Sequence, residues 1–465
     1  MKNISKNKKI LFIVLIVLII GSMSIYLVLN NANNNTNDVT TTEIADSDDT
    51  DWSSYPTYNI ELSDETVTIT KKGVYYITGN LTDNNIVIDT NENVKLVLTD
   101  VTITNSNGPC IYVKNAKNTY IELNGTNTLK STVNDEMDAT IYSKDDLFFE
   151  GEGTLNIESN IDGIASSDDL TIYSGTYNIT SSDEGIKGKD SVSIIDGTFN
   201  INSTGDAIKT TNEEEKGVIT IKAGKFTIDS DSDGISSISS LIIEDGTFDI
   251  TTGSGATQTT KTGDFGGTSN NQDTESIKGI KATGDITIKG GTFTLNNEDD
   301  SIHSNANLTI NGGTFNIESS DDAIHADGMV EINNGTFTIT AAEGIEATYI
   351  KINGGDITIN ASDDGINAGS KSNDYSVTIE INGGDITINM GQGDTDGIDS
   401  NGDIYINGGT INITGNSPFD YDGTAKYSGG TMIVNGEETT TITNQMMGGG
   451  GMQGNPGGMN GGMRR

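Results

Sequence analysis

Short segments in which apolar and polar residues alternate fill residues 57–442 and recur in one order. In one unit, Leu308 and Ile310 flank a threonine, and an Asn-Gly-Gly-Thr run leads to Phe315 and Ile317, which flank an asparagine. Residues two apart point to the same side of a β-strand, so the apolar pairs are expected to face inward. The glycines between the segments suit a sharp corner. The pattern therefore predicts short strands joined by tight turns.

An isoleucine in a first short segment marks the repeat, and its spacing is usually 21 to 23 residues. It stands at Ile141, Ile164, Ile186, Ile208, Ile235, Ile280, Ile302, Ile324, Ile345, Ile366 and Ile398. The anchor of the third segment recurs in step, at Tyr177, Phe199, Phe226, Phe248, Phe293, Phe315, Phe337, Ile357, Ile386 and Ile411. Such self-similarity, without a helical period, predicts an all-β, right-handed, single-stranded parallel β-helix. Each coil is expected to contain about 22 residues and three short strands.

The remaining segments differ in composition from this repeat. Residues 1–29 begin with several lysines and contain a 20-residue apolar run, residues 10–29, which is long enough to span a bilayer. The flanking positive charge predicts that the N-terminus lies inside the cell and the rest outside. A retained transmembrane anchor is favoured, with a cleaved signal peptide as the alternative. We further predict a flexible polar spacer at 30–56, an inserted loop at 252–274 and a disordered Gly/Met-rich tail at 443–465.

Charge and composition narrow the possible functions. The formal net charge of −41 would repel nucleic acid phosphates, so we expect no nucleic acid partner. The two arginines, Arg464 and Arg465, end the tail, so a catalytic arginine within the repeat is excluded. Cys110 stands alone, which rules out an intrachain disulfide. With 33% hydrophobic residues, the chain suits a thin solenoid better than a thick globular core.

A carboxylate stands two residues before the recurring isoleucine in most units, and we call this row the acid ladder. Its members are Asp162, Glu184, Asp206, Asp233, Asp300, Asp322, Glu343, Asp364 and Asp396, often preceded by a second acid at Asp183, Asp299, Asp321 or Asp363. Stacked carboxylates repel by about 1 kcal/mol per neighbour in water and more beside an apolar wall. Calcium, which accepts six to eight oxygen ligands in flexible geometry, is expected at some of these thirteen candidate positions. The alternative is that the acids only initiate turns.

From Ile186 onward, the residue after each recurring isoleucine forms a second row, which we call the outer row. It contains Lys187, Lys209, Ser236, Lys281, His303, His325, Glu346, Asn367 and Asp399. In the coil of Ile280, Lys278 replaces the ladder acid, directly after the inserted loop. Lys278 and Lys281, with Lys187, Lys209, His303 and His325 as further candidates, are interpreted as contacts for a sugar carboxylate. Alternatively, the lysines pair with adjacent acids and the histidines are solvated.

Several segments resemble a known family. They are GVYYITG at 73–79, VKLVL at 94–98, NTL at 127–129 and SIKGIK at 276–281, together with the Asn-Gly-Gly-Thr corners and the Gly-Met tail. The chain resembles, over roughly residues 58–436, the clostridial-type carbohydrate-binding β-helix proteins, which bind polygalacturonate and cellulose. The resemblance implies a right-handed β-helix like that of pectate lyases, calcium along the solenoid and binding without catalysis.

The expected function is an extracellular, surface-attached, calcium-dependent binding protein for acidic, polygalacturonate-like plant polysaccharide. One alternative is a polysaccharide lyase that uses calcium and a lysine base, and a hydrolase is a weaker one. Another is a structural stalk or adhesin. The sequence shows no obvious aromatic platform for flat cellulose, because Trp52 falls in the predicted spacer and most phenylalanines are expected to point inward.

Overall fold

The computed structural model describes residues 50–132, 137, 139–213, 216–257, 276–391 and 395–444. The predicted anchor, spacer residues 30–49, loop residues 258–274 and tail residues 445–465 lie outside these ranges. Within the described ranges, no helix has the length and apolar character needed to cross a membrane. The described chain is all-β except for the three-residue 3-10 helix Trp52–Ser54.

The strands form three parallel ladders, in which each strand pairs with the corresponding strand one coil further along. The first ladder carries the recurring isoleucines. Its strands are β2 (Val67–Ile69), β4 (Ile86–Asp89), β6 (Ile111–Asn115), β9 (Ala139–Ser143), β12 (Asp162–Ser166), β15 (Ile186–Gly188), β18 (Ile208–Thr210), β21 (Ile235–Ser237), β24 (Ile280–Ala282), β27 (Ile302–Ser304), β30 (Asp322–Ile332), β32 (Glu343–Ile352), β34 (Ile366–Ala368), β37 (Asp396–Ser400) and β40 (Ser417–Tyr421).

The second ladder follows the first within each coil and shares the long strands β30 and β32 with it. Its other strands are β1 (Thr57–Leu62), β3 (Gly73–Thr82), β5 (Val94–Asn105), β7 (Thr119–Asn124), β10 (Leu147–Gly151), β13 (Asp169–Ile172), β16 (Ser191–Ile194), β19 (Val218–Ile221), β22 (Leu241–Ile243), β25 (Ile286–Ile288), β28 (Leu308–Ile310), β35 (Thr378–Ile381), β38 (Asp403–Ile406) and β41 (Ala425–Tyr427).

The third ladder begins with the C-terminal parts of β3 and β5 and carries the aromatic anchors. It continues through β8 (Thr126–Ser131), β11 (Thr154–Ser159), β14 (Thr176–Ser181), β17 (Thr198–Ser203), β20 (Lys225–Ser230), β23 (Thr247–Thr252), β26 (Thr292–Asn297), β29 (Thr314–Ser319), β31 (Thr336–Ala341), β33 (Asp356–Ala361), β36 (Asp385–Met390), β39 (Thr410–Thr414) and β42 (Thr431–Val434). The hairpin strand β43 (Glu437–Thr439) pairs antiparallel with β42. Three parallel ladders of this kind form a solenoid like a β-helix.

The core is the column of inward side chains between the ladders. Ile302 pairs with Ile280 before it and Ile324 after it, and all three are fully buried. The rings of Phe199, Phe226, Phe248, Phe293, Phe315 and Phe337 stack 4.6 to 4.8 Å apart with interplanar angles of 2 to 4°. The parallel stacking of identical residues explains why one register holds through so many coils, because a slip of one residue would turn every ring outward.

The inserted segment leaves this core continuous. Phe248 and Phe293 are 45 positions apart in the chain, yet their rings stack at 4.7 Å. Ile235 pairs with Ile280 across the same interval. The coils that precede and follow the insertion in the sequence are therefore direct neighbours in the solenoid.

The corners between the second and third ladders use glycine and asparagine for different reasons. Gly313 has φ +119°, and a Cβ there would meet the Phe315 ring at 3.0 Å, so the position requires glycine. Asparagine side chains form a hydrogen-bonded ladder, in which Asn333 donates to Asn311 at 3.0 Å and Asn353 donates to Asn333 at 2.8 Å. Each corner amide thus forms a hydrogen bond with the equivalent asparagine of the neighbouring coil, which satisfies its polar group.

The N-terminal end of the described chain differs from the predicted spacer. Trp52 packs its ring edge-on against Tyr120, with centroids 5.0 Å apart, and lies 4.8 Å from the Tyr55 ring. Lys95 Nζ stands 5.7 Å from the Trp52 ring centroid. Residues 50–56 are thus attached to the solenoid surface, because an aromatic residue within a polar stretch finds an apolar partner there.

Candidate functional site

The acid ladder follows the end of the third strand and precedes the first strand of the next coil. One carboxylate oxygen of each of several members accepts the backbone N–H of the same position one coil further along. The distances are 3.1 Å from Glu184 N to Asp162, 3.0 Å from Asp233 N to Asp206, 2.8 Å from Lys278 N to Asp233, 3.1 Å from Asp322 N to Asp300 and 2.9 Å from Asp396 N to Asp364. Each of these acids therefore closes the coil after it and keeps a second oxygen for another partner.

Because most of the ladder acids are buried, their second oxygen needs a positive charge or a hydrogen-bond donor beside it. Asp162, Glu184, Asp206, Asp233, Asp300 and Asp322 are buried, whereas Glu343, Asp364 and Asp396 are half-buried. A buried carboxylate needs a charged or hydrogen-bonding partner, because transfer out of water disfavours its ionised form. Burial and the neighbouring Glu184 raise the pKa of Asp162 to about 8.

Lysines of the outer row provide this partner in the N-terminal half of the ladder. Lys187 pairs with Asp162, and Lys209 Nζ lies 2.8 Å from Glu184 and 3.2 Å from Asp206. Lys281 Nζ lies 3.2 Å from Asp233. Although burial disfavours the ammonium form, Asp206 and Glu184 raise the pKa of Lys209 above its ordinary value. A lysine held protonated in this way is a poor general base.

Lys278, which replaces a ladder acid, points along the ladder into the next coil. Its Nζ lies 2.7 Å from Asp299 and 2.8 Å from Asp300, and its side chain is 14% exposed. Burial opposes the charge, but the two carboxylates raise the pKa of Lys278 above its ordinary value. The structure thus brings Lys278 and Lys281 close to acids that flank the inserted segment, in the arrangement expected of ion-paired lysines.

The two histidines stack in successive coils. Their ring centroids are 4.5 Å apart, and each Nδ1 faces the ladder acid three residues before it, His303 to Asp300 at 2.8 Å and His325 to Asp322 at 2.6 Å. His325 Nδ1 also lies 3.0 Å from Glu346. Burial disfavours the charged ring, yet the hydrogen bonds to Asp322 and Glu346 raise the pKa of His325 to about 10.

The C-terminal half of the ladder has fewer cationic neighbours. Among the described residues, no lysine lies within ion-pair distance of Asp364 or Asp399. Burial and neighbouring acids raise the pKa of Glu343 to about 7, of Asp364 to about 8 and of Asp399 to about 7. Here the like charges of successive coils face one another.

The second acids lie beside the ladder, with Asp183 exposed and Asp299, Asp321 and Asp363 half-buried. Two sets of three predicted calcium ligands are clustered, and within each set the carboxylate oxygens lie within 4.8 Å of one another. These groups are Asp162, Asp183 and Glu184, and Asp299, Asp300 and Asp321. The other ladder acids are distributed along the solenoid.

A further acidic cluster was not predicted from the sequence. Asp146, Asp168 and Asp169 present carboxylate oxygens within 4.8 Å of one another, at the corner that precedes the second ladder. Burial and the neighbouring acids raise the pKa of Asp168 to about 6. The sequence does contain a signal for this cluster, because an Asp-Asp pair precedes both Leu147 and Leu170, and these leucines are paired in successive coils.

The outward face of the third ladder contains a groove that the sequence did not predict. Its volume is about 700 Å³, and asparagine and threonine side chains lie among its lining residues, although more of the lining surface is apolar than polar. Along its floor Asn178 donates to Asn156, and Asn200 donates to Asn178, both at 2.8 Å. Such groups can hydrogen-bond sugar hydroxyls.

Aromatic side chains also lie outside the core, in contrast to the expectation that no platform exists. Tyr112 and Tyr142 stack on the outer side of the first ladder, with centroids 5.8 Å apart and planes 4° apart. Tyr120 and Phe148 stack at 4.5 Å on the second ladder, where Trp52 packs against Tyr120 and leaves it 5% exposed. These side chains point outward because each is adjacent in its strand to an inward residue. Sequence reasoning applied this alternation only to the phenylalanines of the third ladder.

Comparison with known proteins places the chain in a family. The profile of a family of carbohydrate-binding domain-containing proteins matches residues 63–323 and 320–447, which together exceed half of the chain. The chain belongs to this carbohydrate-binding family. The match includes the acid ladder, the outer row and the grooved face of the third ladder.

Two relatives are similar over smaller regions. A carbohydrate-binding domain-containing protein from Acetivibrio thermocellus is 33% identical over 126 residues, which cover 24% of this chain and 44% of the relative. The chain thus spans less than half the length of that curated relative. The solved structure of the polysaccharide lyase-like protein from C. thermocellum, in a gadolinium derivative, is 34% identical, with a TM-score of 0.40, and the similarity covers 41% of this chain and 84% of that one.

Proposed function

We propose that the chain is an extracellular, calcium-dependent binding protein for acidic, polygalacturonate-like polysaccharide, attached to the cell surface through residues 10–29. The proposal includes a right-handed solenoid with coils of about 22 residues. Membership of a carbohydrate-binding family supports the carbohydrate part. The observation that carries the calcium part lies in the C-terminal half of the ladder, where Asp364 accepts a backbone N–H through one oxygen and has the acids Glu343, Asp363 and Asp399 as neighbours.

Calcium matches this arrangement best in the C-terminal half of the ladder. Glu343 and Asp364 belong to successive coils, and their neighbours are acids and amides more than lysines. A divalent ion between such carboxylates would offset their mutual repulsion, and its remaining coordination positions could accept uronate oxygens. A uronate chain would then be held by ions spaced along the coils.

Lysine contacts to the sugar are the less direct part of the proposal. Lys278 and Lys281 already bind Asp299, Asp300 and Asp233. A sugar carboxylate would have to exchange places with these partners, which is costly where the aspartates are buried. We therefore assign the main contact to calcium and a supporting role to the lysines.

The test is retention of the full chain on polygalacturonate, measured with calcium and with chelator. We expect retention in calcium and at least a tenfold loss with chelator, because free calcium then drops far below the dissociation constant. Equal retention under both conditions would contradict the calcium part. Release of unsaturated product, seen as absorbance on pectate, would instead support a lyase.

Variants can locate the bound polysaccharide. Glu343→Gln combined with Asp364→Asn should weaken calcium-dependent retention, because it removes two carboxylates from the C-terminal ladder. The matched control is Asn178→Ala combined with Asn200→Ala, which changes the groove on the third ladder. If the control variant loses retention while the ladder variant keeps it, the polysaccharide occupies the groove and not the ladder.

A further inference from the structure

The stacked histidines form a group whose chemistry differs from that of the acid ladder. His303 and His325 are the two histidines of the chain, and their rings are 13° from parallel. Two carboxylate oxygens lie close to His325 Nδ1. The nitrogen is 2.6 Å from Asp322 Oδ2 and 3.0 Å from Glu346 Oε2. All three residues are buried, at 7%, 5% and 7% exposure.

The surroundings fix the orientation of these three side chains. His325 Nε2 lies 3.4 Å from Asp327 Oδ1, on the far side of the ring. The other oxygen of Glu346, Oε1, accepts from Lys371 Nζ at 2.7 Å and from Asn367 Nδ2 at 3.3 Å. A carboxylate behind a histidine and hydrogen bonds behind a ligating carboxylate are the usual outer partners of a metal site.

We propose that Asp322 Oδ2, His325 Nδ1 and Glu346 Oε2 bind a divalent transition-metal ion of the zinc class. Imidazole nitrogen favours such ions, whereas calcium prefers sites made entirely of oxygen. Ligand atoms around tetrahedral zinc stand roughly 3.3 Å apart, so the three atoms need to separate by less than about 1 Å. Three protein ligands leave a fourth position for water or a sugar oxygen.

The neighbouring group of Asp300, His303 and His325 is the competing ligand set, because these atoms also converge. Asp300 Oδ2 already lies 2.8 Å from the ammonium of Lys278, which would repel an ion placed on that oxygen. On Glu346 the lysine contacts Oε1 and leaves Oε2 facing the histidine. The geometry therefore favours the group that contains Glu346.

Metal titration of the full chain, purified without a histidine tag, tests the site. The probes are Zn²⁺, followed by calorimetry, and Co²⁺, followed by its visible absorption bands. We expect one Zn²⁺ to bind in an excess of Ca²⁺, and His325→Gln to weaken Zn²⁺ binding by at least about 100-fold. His303→Gln is the matched control and should change the affinity by less than about tenfold, because His303 lies outside the proposed ligand set, with its ring stacked on His325 and its Nδ1 facing Asp300.

Further variants keep the test decisive. Glu346→Gln should reproduce the loss, and melting in chelator verifies that each variant is folded. Equal Zn²⁺ affinity in wild type, His325→Gln and Glu346→Gln would overturn the site, as would displacement of Zn²⁺ by Ca²⁺ at equal concentration. Loss of binding in His303→Gln with binding retained in Glu346→Gln would overturn the ligand set proposed here. Polygalacturonate retention is measured separately, so either proposal can fail alone.

Discussion

At the residue scale, the exchange of an acid for Lys278 shows how strongly the ladder depends on charge balance. Lys278 is largely buried and pairs with Asp299 and with Asp300, which is 4% exposed. Its removal leaves a buried carboxylate without its ammonium partner, so Lys278→Ala should lower the free energy of unfolding by about 3 kcal/mol. Urea unfolding measures the change.

The control for this prediction is an exposed pair on the same solenoid. Lys289 Nζ lies 2.8 Å from Glu244, with side chains 50% and 40% exposed. Lys289→Ala should therefore lower the free energy of unfolding by less than about 1 kcal/mol. Equal effects of the two substitutions would show that burial of the Lys278 pair has no energetic consequence.

Cys110 offers a second prediction at this scale. Its side chain is fully buried, its sulfur lies 3.3 Å from the Lys130 carbonyl oxygen, and burial raises the pKa of the thiol to about 12. The thiolate is the reactive species, so the native chain should react with a thiol reagent at pH 8 at least about 1000-fold more slowly than the unfolded chain. The neutral thiol stabilises the fold below the ordinary thiol pKa, and this contribution is lost as the pH rises towards 12. A native rate close to that of the chain in guanidinium would contradict this burial.

At the element scale, the third ladder depends on its stacked rings. Phe315 is 1% exposed and stacks 4.6 Å from both Phe293 and Phe337. Phe315→Ala would leave a cavity between two rings and should cost about 3–5 kcal/mol. Asn316→Ala, on the exposed side of the same strand, should change stability by less than about 0.5 kcal/mol. The midpoint of urea unfolding measures both, and similar midpoints would mean that the stack can collapse around the missing ring.

The strand register could be predicted from sequence because each inward position repeats. Ile302 and Ile324, separated by one unit in the sequence, are direct partners in the structure, as are Phe315 and Phe337. The lateral contacts could not be predicted in the same way. Whether Lys278 binds its own coil or the next depends on the direction of a long side chain, and Glu346 joins His325 from the following coil.

The position of Trp52 shows a second limit of sequence reasoning. The polar composition of residues 30–56 predicts a spacer, and composition carries no information on where a single aromatic ring will pack. Its contact with Tyr120 arises from a row of outward aromatic residues on the second ladder. The row becomes visible only when the residues next to inward positions are compared between coils.

At the scale of the whole molecule, the repeat places a carboxylate at the same position in successive coils, so that candidate calcium sites form a line along the solenoid. The net charge of −41 includes ladder acids that recur in successive coils, and their repulsion is strongest in the C-terminal half of the ladder, where acids neighbour acids. If calcium binds at several coils, every bound ion stabilises the folded chain by mass action. One site adds about 2.7 kcal/mol when free calcium is 100 times its dissociation constant.

Calcium should therefore raise the melting temperature progressively, and more than sodium chloride does at the same ionic strength, because screening alone reduces repulsion without adding ligand bonds. Calorimetric melting of the full chain in calcium, in sodium chloride and in chelator measures the difference. Glu343→Gln combined with Asp364→Asn should raise the melting temperature in chelator, since it removes facing charges, and should reduce the increase caused by calcium. If calcium and sodium chloride give the same melting curve, the ladder responds to screening alone, and each second carboxylate oxygen has a partner other than a bound ion.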